Sequence, residues 1–428
     1  MLHNSAPTPS RVVICGGGVI GTSIAYFLSL RGVETVLIER TGVANASSGK
    51  SGGFLALDWC RGTAVDQLAR RSFVLHEELA STLAAELNLD WGYRCLDTLS
   101  ITASERRDFS SLQRGEVLNW LAPGAAVCDR IGTSETTAQI HPALFTQALM
   151  QGAQLSGARL VNGKVSGLDF DASNRKIRGV IVDGEVMATD AAIIAMGPWS
   201  ILACRWLQLP AVYGIKGHSL VFDYTPANPR ALFVELETKT GEFEAPEIMP
   251  RTDGTTYVCG LSSPEALPMD PAEVDVDDGS PEKLRDMAAA VSRELGSASI
   301  LAKPAWVSVM VVDFSLEKKL LLSNSSRIFN FLLIIFFTKK AISEKRSLLI
   351  FPHGTRTQPN TKNKIQSGVV SLYKHLNIKV IPIKLDSGNY WGKKMFLKYP
   401  GKIIVEFLKP IEPGLEPGKF RKKLENIL

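Results

Sequence analysis

The start of the chain alternates short apolar runs with an amphipathic segment. Arg11 to Cys15 is an apolar run of β type, and Thr35 to Ile38 is a second one. Between them, apolar residues recur at helical spacing, and Gly32 provides a helix stop. The predicted buried face of this helix consists of Ile20, Ile24, Phe27 and Leu28. The pattern therefore predicts a β-α-β unit.

A glycine motif of the form GxGxxG lies between the first predicted strand and the helix. In such a motif Gly16 permits a tight turn, Gly18 lets the backbone approach a pyrophosphate, and Gly21 allows close helix-to-strand packing. The helix N-terminus favours phosphate groups. Glu39 ends the second strand, where a carboxylate can accept hydrogen bonds from a ribose. Strand, glycines, helix, strand and acid in this order predict a dinucleotide site, without separating FAD from NAD.

A loop of small residues after this unit favours FAD. Asn45 to Phe54 resembles the FAD-contacting loop of the D-amino-acid-oxidase-like superfamily, which includes glycine and sarcosine oxidases. Gln139 to Pro142, Val161 to Val165 and Ala191 to Ser200 resemble further segments of that family, in the same order. The resemblance implies FAD as the cofactor. The cofactor-binding residues that follow are Gly16, Gly18, Gly21, Glu39, Arg40, Ser47, Ser48, Gly49, Lys50, Gly52, Gly53, Val165 and Gly197.

The resemblance also implies an α/β fold with two domains. A Rossmann-like FAD-binding domain is expected from residues 10–57 and 140–209, and an inserted α+β substrate domain from residues 58–139 and 210–303. In the second domain, Asp253-Gly254 predicts a hairpin turn because glycine tolerates positive φ. A helix is predicted to begin at Ser280-Pro281. Its predicted apolar stripe consists of Leu284, Met287, Val291 and Leu295.

Proteins of this superfamily oxidise a C–N bond of a small amine or amino acid by hydride transfer to the flavin. The flavin supplies most of that chemistry, so no dedicated acid or base is required. The resemblance makes Arg251 a candidate to bind a substrate carboxylate, with a solvated turn arginine as the alternative. His218 is a candidate to lie near the flavin ring, although a single histidine is more often structural.

Charge is divided unevenly along the 428 residues. Residues 1–310 hold 26 Lys plus Arg against 35 Asp plus Glu, whereas residues 311–428 hold 22 against 8. The preferred basic residue also changes from Arg to Lys, although the two carry the same charge. Selection for basicity alone does not explain that exchange, so the composition indicates two segments of different origin.

Composition also bounds the compartment and the partners. The six cysteines are scattered without zinc-type spacing, which favours reduced thiols, no metal site and a cytoplasmic location. The longest apolar run, Ile328 to Phe337, is about half the length that crosses a bilayer. We therefore expect a small-molecule substrate, no nucleic-acid partner and no transmembrane segment. The basic C-terminal part leaves peripheral membrane contact open.

The C-terminal part resembles another family. Residues 304–339 form a junction of unclear origin, and residues 340–428 resemble lysophosphatidate acyltransferases, forming a partial α/β segment. Leu349 to Arg356 is close to the FPEGTR block of that family, with His353 where glutamate is usual. The resemblance implies a phosphate site at Gly354, Thr355 and Arg356.

Three segments continue the acyltransferase pattern, namely a helix at Val369 to Leu376 and strands at Lys379 to Leu385 and Lys402 to Pro410. The His-x4-Asp motif that such acyl transfer needs is missing from the stretch just before Phe351. Two alternatives to the oxidoreductase therefore stay open. They are a lysophospholipid acyltransferase and an inactive fusion product that lacks the segment covering the flavin.

Overall fold

The computed structural model describes residues 9–109, 118–171, 173, 176–207, 213–264, 267–310, 350, 352, 365, 367–385 and 404–427. The chain divides into two units, Met1–Val311 and Val312–Leu428, and each is described by itself.

The described part of the first unit contains both strands and helices. The strands are β1 (Arg11–Cys15), β2 (Glu34–Glu39), β3 (Phe54–Ala56), β4 (Arg94–Cys95), β5 (Thr98–Ser104), β6 (Ala125–Gly132), β7 (Thr137–Gln139), β8 (Arg159–Asn162), β9 (Val165–Phe170), β10 (Ile177–Val182), β11 (Glu185–Ala188), β12 (Ala191–Ile194), β13 (Tyr213–Phe222), β14 (Ala231–Glu237), β15 (Phe243–Glu244), β16 (Glu247–Pro250), β17 (Thr256–Pro264), β18 (Ile300–Ala302) and β19 (Ala305–Met310). The helices are α1 (Val19–Ser29), α2 (Ser47–Lys50), α3 (Asp66–Leu87), α4 (Pro142–Leu155), α5 (Ser280–Val291) and α6 (Arg293–Ser297), with 3-10 helices at Gly197–Arg205 and Pro271–Glu273.

A parallel sheet in the order β12-β1-β2-β8 forms the centre of the first domain. The chain leaves β1 towards β2 on one side and later returns as β12 on the other. That reversal makes the carboxyl end of β1 a topological switch point, where open α/β sheets bind ligands. The antiparallel strands β9, β10 and β11 add a second, three-stranded sheet. The predicted β-α-β unit is confirmed.

The most deeply buried residues of helix α1 differ from the predicted ones. Ile20 is 63% exposed, and Ile24, Phe27 and Leu28 are only partly buried. The buried residues of α1 are Gly21, Thr22, Ala25, Tyr26 and Ser29. The helix packs closely on both sides: a Cβ on Gly21 would lie 1.9 Å from the carbonyl oxygen of Gly16, and a Cβ on Gly152 of α4 would lie 3.0 Å from the Tyr26 ring. The helical period was correct. Ile24, Phe27 and Leu28 pack against the core while staying partly exposed, and the prediction was wrong for Ile20.

Helix α3 packs with the first domain, although the sequence analysis assigned residues 58–139 to the second. Leu79 and Leu83 of α3 share one hydrophobic core with Tyr26, Phe145 and Leu149. The helix ends at Leu87, where Asn88 adopts a left-handed conformation. The segment of residues 58–139 therefore begins with a helix that packs beside α1 and α4.

A mixed sheet in the order β18-β13-β17-β16-β14-β5-β6 forms the second domain, with β15 paired to β14 and β19 to β13. The predicted hairpin joins β16 to β17, and Gly254 has φ 88°. The predicted helix after Ser280 is present, but it breaks at Ser292. The extended Ser292 accepts a hydrogen bond from the Leu295 N–H at 3.3 Å and begins α6. Helices α5 and α6 cover one face of the sheet.

The second unit contains a small α/β core. Its described elements are α7 (Ser367–Leu376), β20 (Ile383–Leu385), β21 (Val405–Phe407) and α8 (Pro417–Ile427). The strands pair antiparallel, and the Tyr373 and Phe420 rings stack with centroids 3.8 Å apart. The helix and strands predicted here are present, the strands shorter than expected. Gly354, Thr355 and Arg356 lie outside the described residues. Among the described residues, no helix combines the length and apolar character needed to cross a bilayer.

The placement of α3 can be tested by comparing two leucines of that helix. Leu83 is fully buried, whereas Leu68 is 70% exposed. We expect Leu83→Ala to lower the free energy of unfolding by about 2–5 kcal/mol, since it leaves a cavity in the first core. Leu68→Ala should change it by less than about 0.5 kcal/mol. Urea unfolding followed by circular dichroism measures both, and equal effects would contradict the packing of α3.

Candidate cofactor and substrate site

The glycine turn after β1 is shaped by contacts within the protein. Gly16 has φ 113°, and a Cβ there would lie 2.4 Å from the carbonyl oxygen of Ala195. A Cβ on Gly21 would lie 1.9 Å from the carbonyl oxygen of Gly16. At Gly18, by contrast, the only described atoms within 4 Å belong to Ser48, with its Oγ at 3.1 Å. Gly16 and Gly21 are therefore required by packing, and the backbone at Gly18 is left approachable.

The N-terminus of α1 points towards the loop that carries α2. The Val19 N–H donates to the Ser48 Oγ at 2.9 Å, and Gly18 supplies no side-chain cap. The first turn of α1 contains no acidic residue, so the positive end of the helix dipole stays uncompensated by its own sequence. An anionic group is favoured at this helix end.

Glu39 ties the end of β2 to the glycine turn. Its Oε2 accepts a hydrogen bond from the Gly17 N–H at 2.6 Å, and its Oε1 accepts from the N–H groups of Arg40 and Thr41, both at 2.8 Å. Among the described residues Oε2 has this single donor, and a carboxylate oxygen can accept a second. Arg40 itself turns away to form an ion pair with Asp270.

The loop of residues 47–53 is fastened to the second sheet. The Ser47 hydroxyl donates to the Val307 carbonyl, and the Lys50 ammonium donates to the Ala305 carbonyl at 3.1 Å. The Tyr257 hydroxyl donates to the carbonyl of Lys50 at 2.9 Å. Burial lowers the pKa of Lys50. Strands of the second domain therefore hold the loop that the sequence assigned to the cofactor.

The glycines of this loop have a structural explanation. A Cβ on Gly49 would lie 1.9 Å from the carbonyl oxygen of Ala44, and one on Gly53 would lie 1.9 Å from that of Ile140. A Cβ on Gly52 would lie 3.2 Å from the Tyr257 ring. Contacts within the chain alone therefore demand small residues here, so these glycines do not by themselves identify a ligand.

The remaining predicted cofactor residues lie at strand ends beside the turn. Gly197 follows β12 with φ 53°, and no described atom lies within 4 Å of where its Cβ would be. The Gly163 N–H donates to the backbone carbonyl of Glu39 at 3.0 Å, and Val165 begins β9 two residues later. The ends of β1, β2, β8 and β12 thus meet at one edge of the parallel sheet.

Arg251 is buried behind the loop. It is 8% exposed, its Nη2 donates to the Ser51 carbonyl at 3.2 Å, and its guanidinium lies 4.9 Å from the Tyr257 ring centroid. Burial lowers the pKa of Arg251. The side chain lines a cavity of about 120 Å³ together with His141. The alternative of a solvated turn arginine is therefore wrong, and the binding of a substrate carboxylate by Arg251 stays a prediction.

His218 is 2% exposed and lies on the sheet face that α5 covers. Its Nε2 accepts a hydrogen bond from the Asp277 N–H at 3.2 Å, and its Nδ1 lies 3.4 Å from the Leu261 carbonyl oxygen. Asp277 also pairs with Lys216. Because both ring nitrogens have protein partners, the described contacts support a structural histidine. A role near the flavin ring stays a prediction that these contacts do not support.

The sequence resemblance implied that strands within Lys216 to Val221 and Glu247 to Gly260 lie over the flavin, but it did not identify which of their side chains face the loop. Met249 and Tyr257 pack against Gly52, and Glu247 and Cys259 continue the same face. A carboxylate at Glu247, at the start of an otherwise apolar run that ends at Pro250, was the available signal.

The fold and the site define a dinucleotide-binding α/β protein whose cofactor loop is held by a second, mixed sheet. Residues 11–316 match the DAO family of FAD dependent oxidoreductases, and the chain belongs to that family. The predicted FAD-dependent oxidoreductase is thereby confirmed. Because the match ends at residue 316, it gives no support to the acyltransferase resemblance, which stays a prediction.

Relatives and solved structures agree with the family. A Schizosaccharomyces pombe protein described as an oxidoreductase is 33% identical over 292 residues, covering 62% of this chain and 74% of the relative. The structure of glycine oxidase from Bacillus cereus superposes with a TM-score of 0.59 at 20% identity, covering 71% of this chain and 85% of that one. Iminodiacetate oxidase from Chelativorans sp. gives 0.56 at 16% identity, covering 70% and 83%. At these identities the structures show the shared fold.

The residues at the switch point fit FAD. The backbone at Gly18 is approachable, and the N-terminus of α1 favours an anion there. Oε2 of Glu39 can accept one further hydrogen bond, as a ribose hydroxyl would require. Gly197 leaves open space at the neighbouring strand end. A diphosphate and a sugar can therefore be held by groups that are already in place.

The role of Glu39 can be tested with Glu39→Gln. In glutamine, an NH2 group replaces one of the oxygens that now accept hydrogen bonds from backbone N–H groups, so a donor would face a donor. We therefore expect FAD to bind at least about tenfold more weakly, a loss of about 1.4 kcal/mol of binding free energy. Glu34→Gln is the matched control, because Glu34 begins the same strand and forms an exposed ion pair with Arg11 at 3.3 Å. Titration of FAD-free protein with FAD measures both, and equal affinities for the two variants would contradict the assignment.

Proposed function

We propose that this chain oxidises a C–N bond of a small amine or amino acid, with FAD as the hydride acceptor. The observation that carries the proposal is the loop of residues 47–53, held between the N-terminus of α1 and the second sheet. The names of two proteins with similar structures, glycine oxidase and iminodiacetate oxidase, describe oxidation of small amino compounds. The family match supports the same class of chemistry.

FAD, when bound, supplies the hydride acceptor, so the protein residues have to bind, orient and exclude water. Gly16 and Gly21 fix the turn, and the N-terminus of α1 with Ser48 holds the phosphate end. Met249 and Tyr257 of the second sheet pack against Gly52 of the loop. A substrate held in a dry site of fixed geometry needs no further catalytic group for hydride transfer.

Arg251 remains our candidate for a substrate carboxylate. Its Nε is buried without a hydrogen-bond partner among the described residues, and it borders the 120 Å³ cavity with His141. An unsatisfied buried donor is costly and is relieved by an acceptor from outside. His218 is the weaker candidate, because its described neighbours already occupy both ring nitrogens.

The two alternatives concern the C-terminal part. Lysophosphatidate acyl transfer rests on the sequence resemblance alone, since the proposed phosphate residues lie outside the described part of the chain. An inactive fusion product likewise stays a prediction, as do a cytoplasmic location and contact with a membrane surface.

Purified full-length protein tests the proposal. We expect a yellow protein with flavin absorbance that bleaches without oxygen when a small amine or amino acid is added, and keeps its colour with a 2-hydroxy acid of the same size. Yellow protein that no amine bleaches would contradict C–N oxidation. Colourless, folded protein that transfers acyl groups to lysophosphatidate would instead favour the acyltransferase.

A further inference from the structure

Glu247 lies on the face of the second sheet that meets the cofactor loop. Its neighbour Ile248 belongs to the core beneath α5, so Glu247 points to the opposite face. In the register of the sheet it pairs with Phe233 on one side and Cys259 on the other. Both of these side chains pack into the cluster that contains Met249 and Tyr257. The carboxylate therefore stands among the residues that hold the loop.

Glu247 and Arg251 lie on opposite sides of Met249 along the chain. Gly52 crosses the sheet at Met249, where a Cβ on Gly52 would lie 3.5 Å from the Met249 Cγ. Arg251 follows Met249 by two positions and is closed in by His141 and Ser51. Glu247 precedes Met249 by two positions, so about 13 Å of strand separates it from Arg251. A ligand beside Glu247 is therefore close to the Glu247 carboxylate and too far from Arg251 to contact its guanidinium.

The carboxylate of Glu247 has no cationic partner among the described residues. The Cys259 thiol donates a hydrogen bond to it, with the Sγ 3.6 Å from Oε2. Burial raises the pKa of Glu247, and it also raises that of the Cys259 thiol. An acid that is partly buried without a counter-ion costs stability, and such groups concentrate at functional sites.

An aromatic wall continues from Glu247 towards the loop. The rings of Phe54, Trp59 and Phe233 contact one another with centroids 4.9–5.1 Å apart. Phe233 is the register neighbour of Glu247, and Phe54 directly follows Gly53 of the loop. Aromatic faces beside a carboxylate attract organic cations, because the ring quadrupole adds to the charge.

We infer that Glu247 binds an ammonium group of the substrate and makes this enzyme selective for cationic amines. The inference rests on the proposed function and adds the substrate class. A cation beside Glu247 supplies the missing counter-ion, and its alkyl groups contact the rings of Phe233 and Phe54. A carboxylate at the same place is repelled, so amino acids whose carboxylate approaches Glu247 bind poorly.

Benzyltrimethylammonium tests this site without turnover, because its quaternary nitrogen has no lone pair to support oxidation. Calorimetry on the FAD-loaded full chain should detect its binding, and Glu247→Gln should weaken it at least about tenfold. The matched control is Glu244→Gln, since Glu244 lies on the opposite sheet face and pairs with Lys283 at 2.6 Å. That variant should bind the probe as tightly as the wild type does. Phenylacetate, an anion of similar size, should bind beside neither Glu247 nor Glu244.

Acidification gives a second readout. The probe needs the ionised carboxylate, so binding by the wild type should be lost as pH falls through the pKa of Glu247. Because burial raises that pKa, the loss should begin above the range of an ordinary glutamate, and Glu247→Gln should lack it. Equal affinities of Glu247→Gln and wild type would overturn the inference, even if amines bleach the flavin. Glu247-dependent binding by a protein that no amine bleaches would uphold the cation site and overturn the proposed oxidation.

Discussion

The close approach of helix α1 to strand β1 is the constraint on which the rest of the site depends. The carbonyl oxygen of Gly16 occupies the space that any Cβ on Gly21 would need, so this crossing is available only to glycine. It places the N-terminus of α1 directly beyond the end of β1. From there Glu39 can reach back to the Gly17 N–H, and Ser48 can cap the Val19 N–H. The end of β1, the N-terminus of α1 and the Glu39 carboxylate thus lie close together because the backbones of Gly16 and Gly21 are in contact.

The second domain contributes by holding the loop of residues 47–53. Three hydrogen bonds join the loop to β17 and β19, from Ser47, Lys50 and Tyr257. Charged groups are buried here: burial lowers the pKa of Lys50 in the loop and raises that of Glu247 on the adjoining sheet face. Such burial costs stability unless the groups have partners. Binding of a charged substrate gives such a buried group a partner, which offsets part of the loss of stability.

Local sequence was sufficient for the parts of the fold that depend on near neighbours. The strand-glycine-helix pattern, the Asp253-Gly254 hairpin and the family resemblance identified the β-α-β unit, the FAD-dependent family and the second sheet. Long-range packing was beyond it. The inward face of α1 depends on close contacts of Gly21 with Gly16 and of Tyr26 with Gly152, and the loop glycines are required by the carbonyls of Ala44 and Ile140. Neither relation leaves a periodic signal.

We propose that the glycine turn and the N-terminus of α1 hold the diphosphate of FAD. Equilibrium titration of the folded, flavin-free chain with FAD and with FMN, which lacks the adenylate half, tests it most directly. We expect that one FAD binds per chain and that FMN binds far more weakly. Equal affinity for the two flavins, or no binding of FAD by a folded chain, would contradict it.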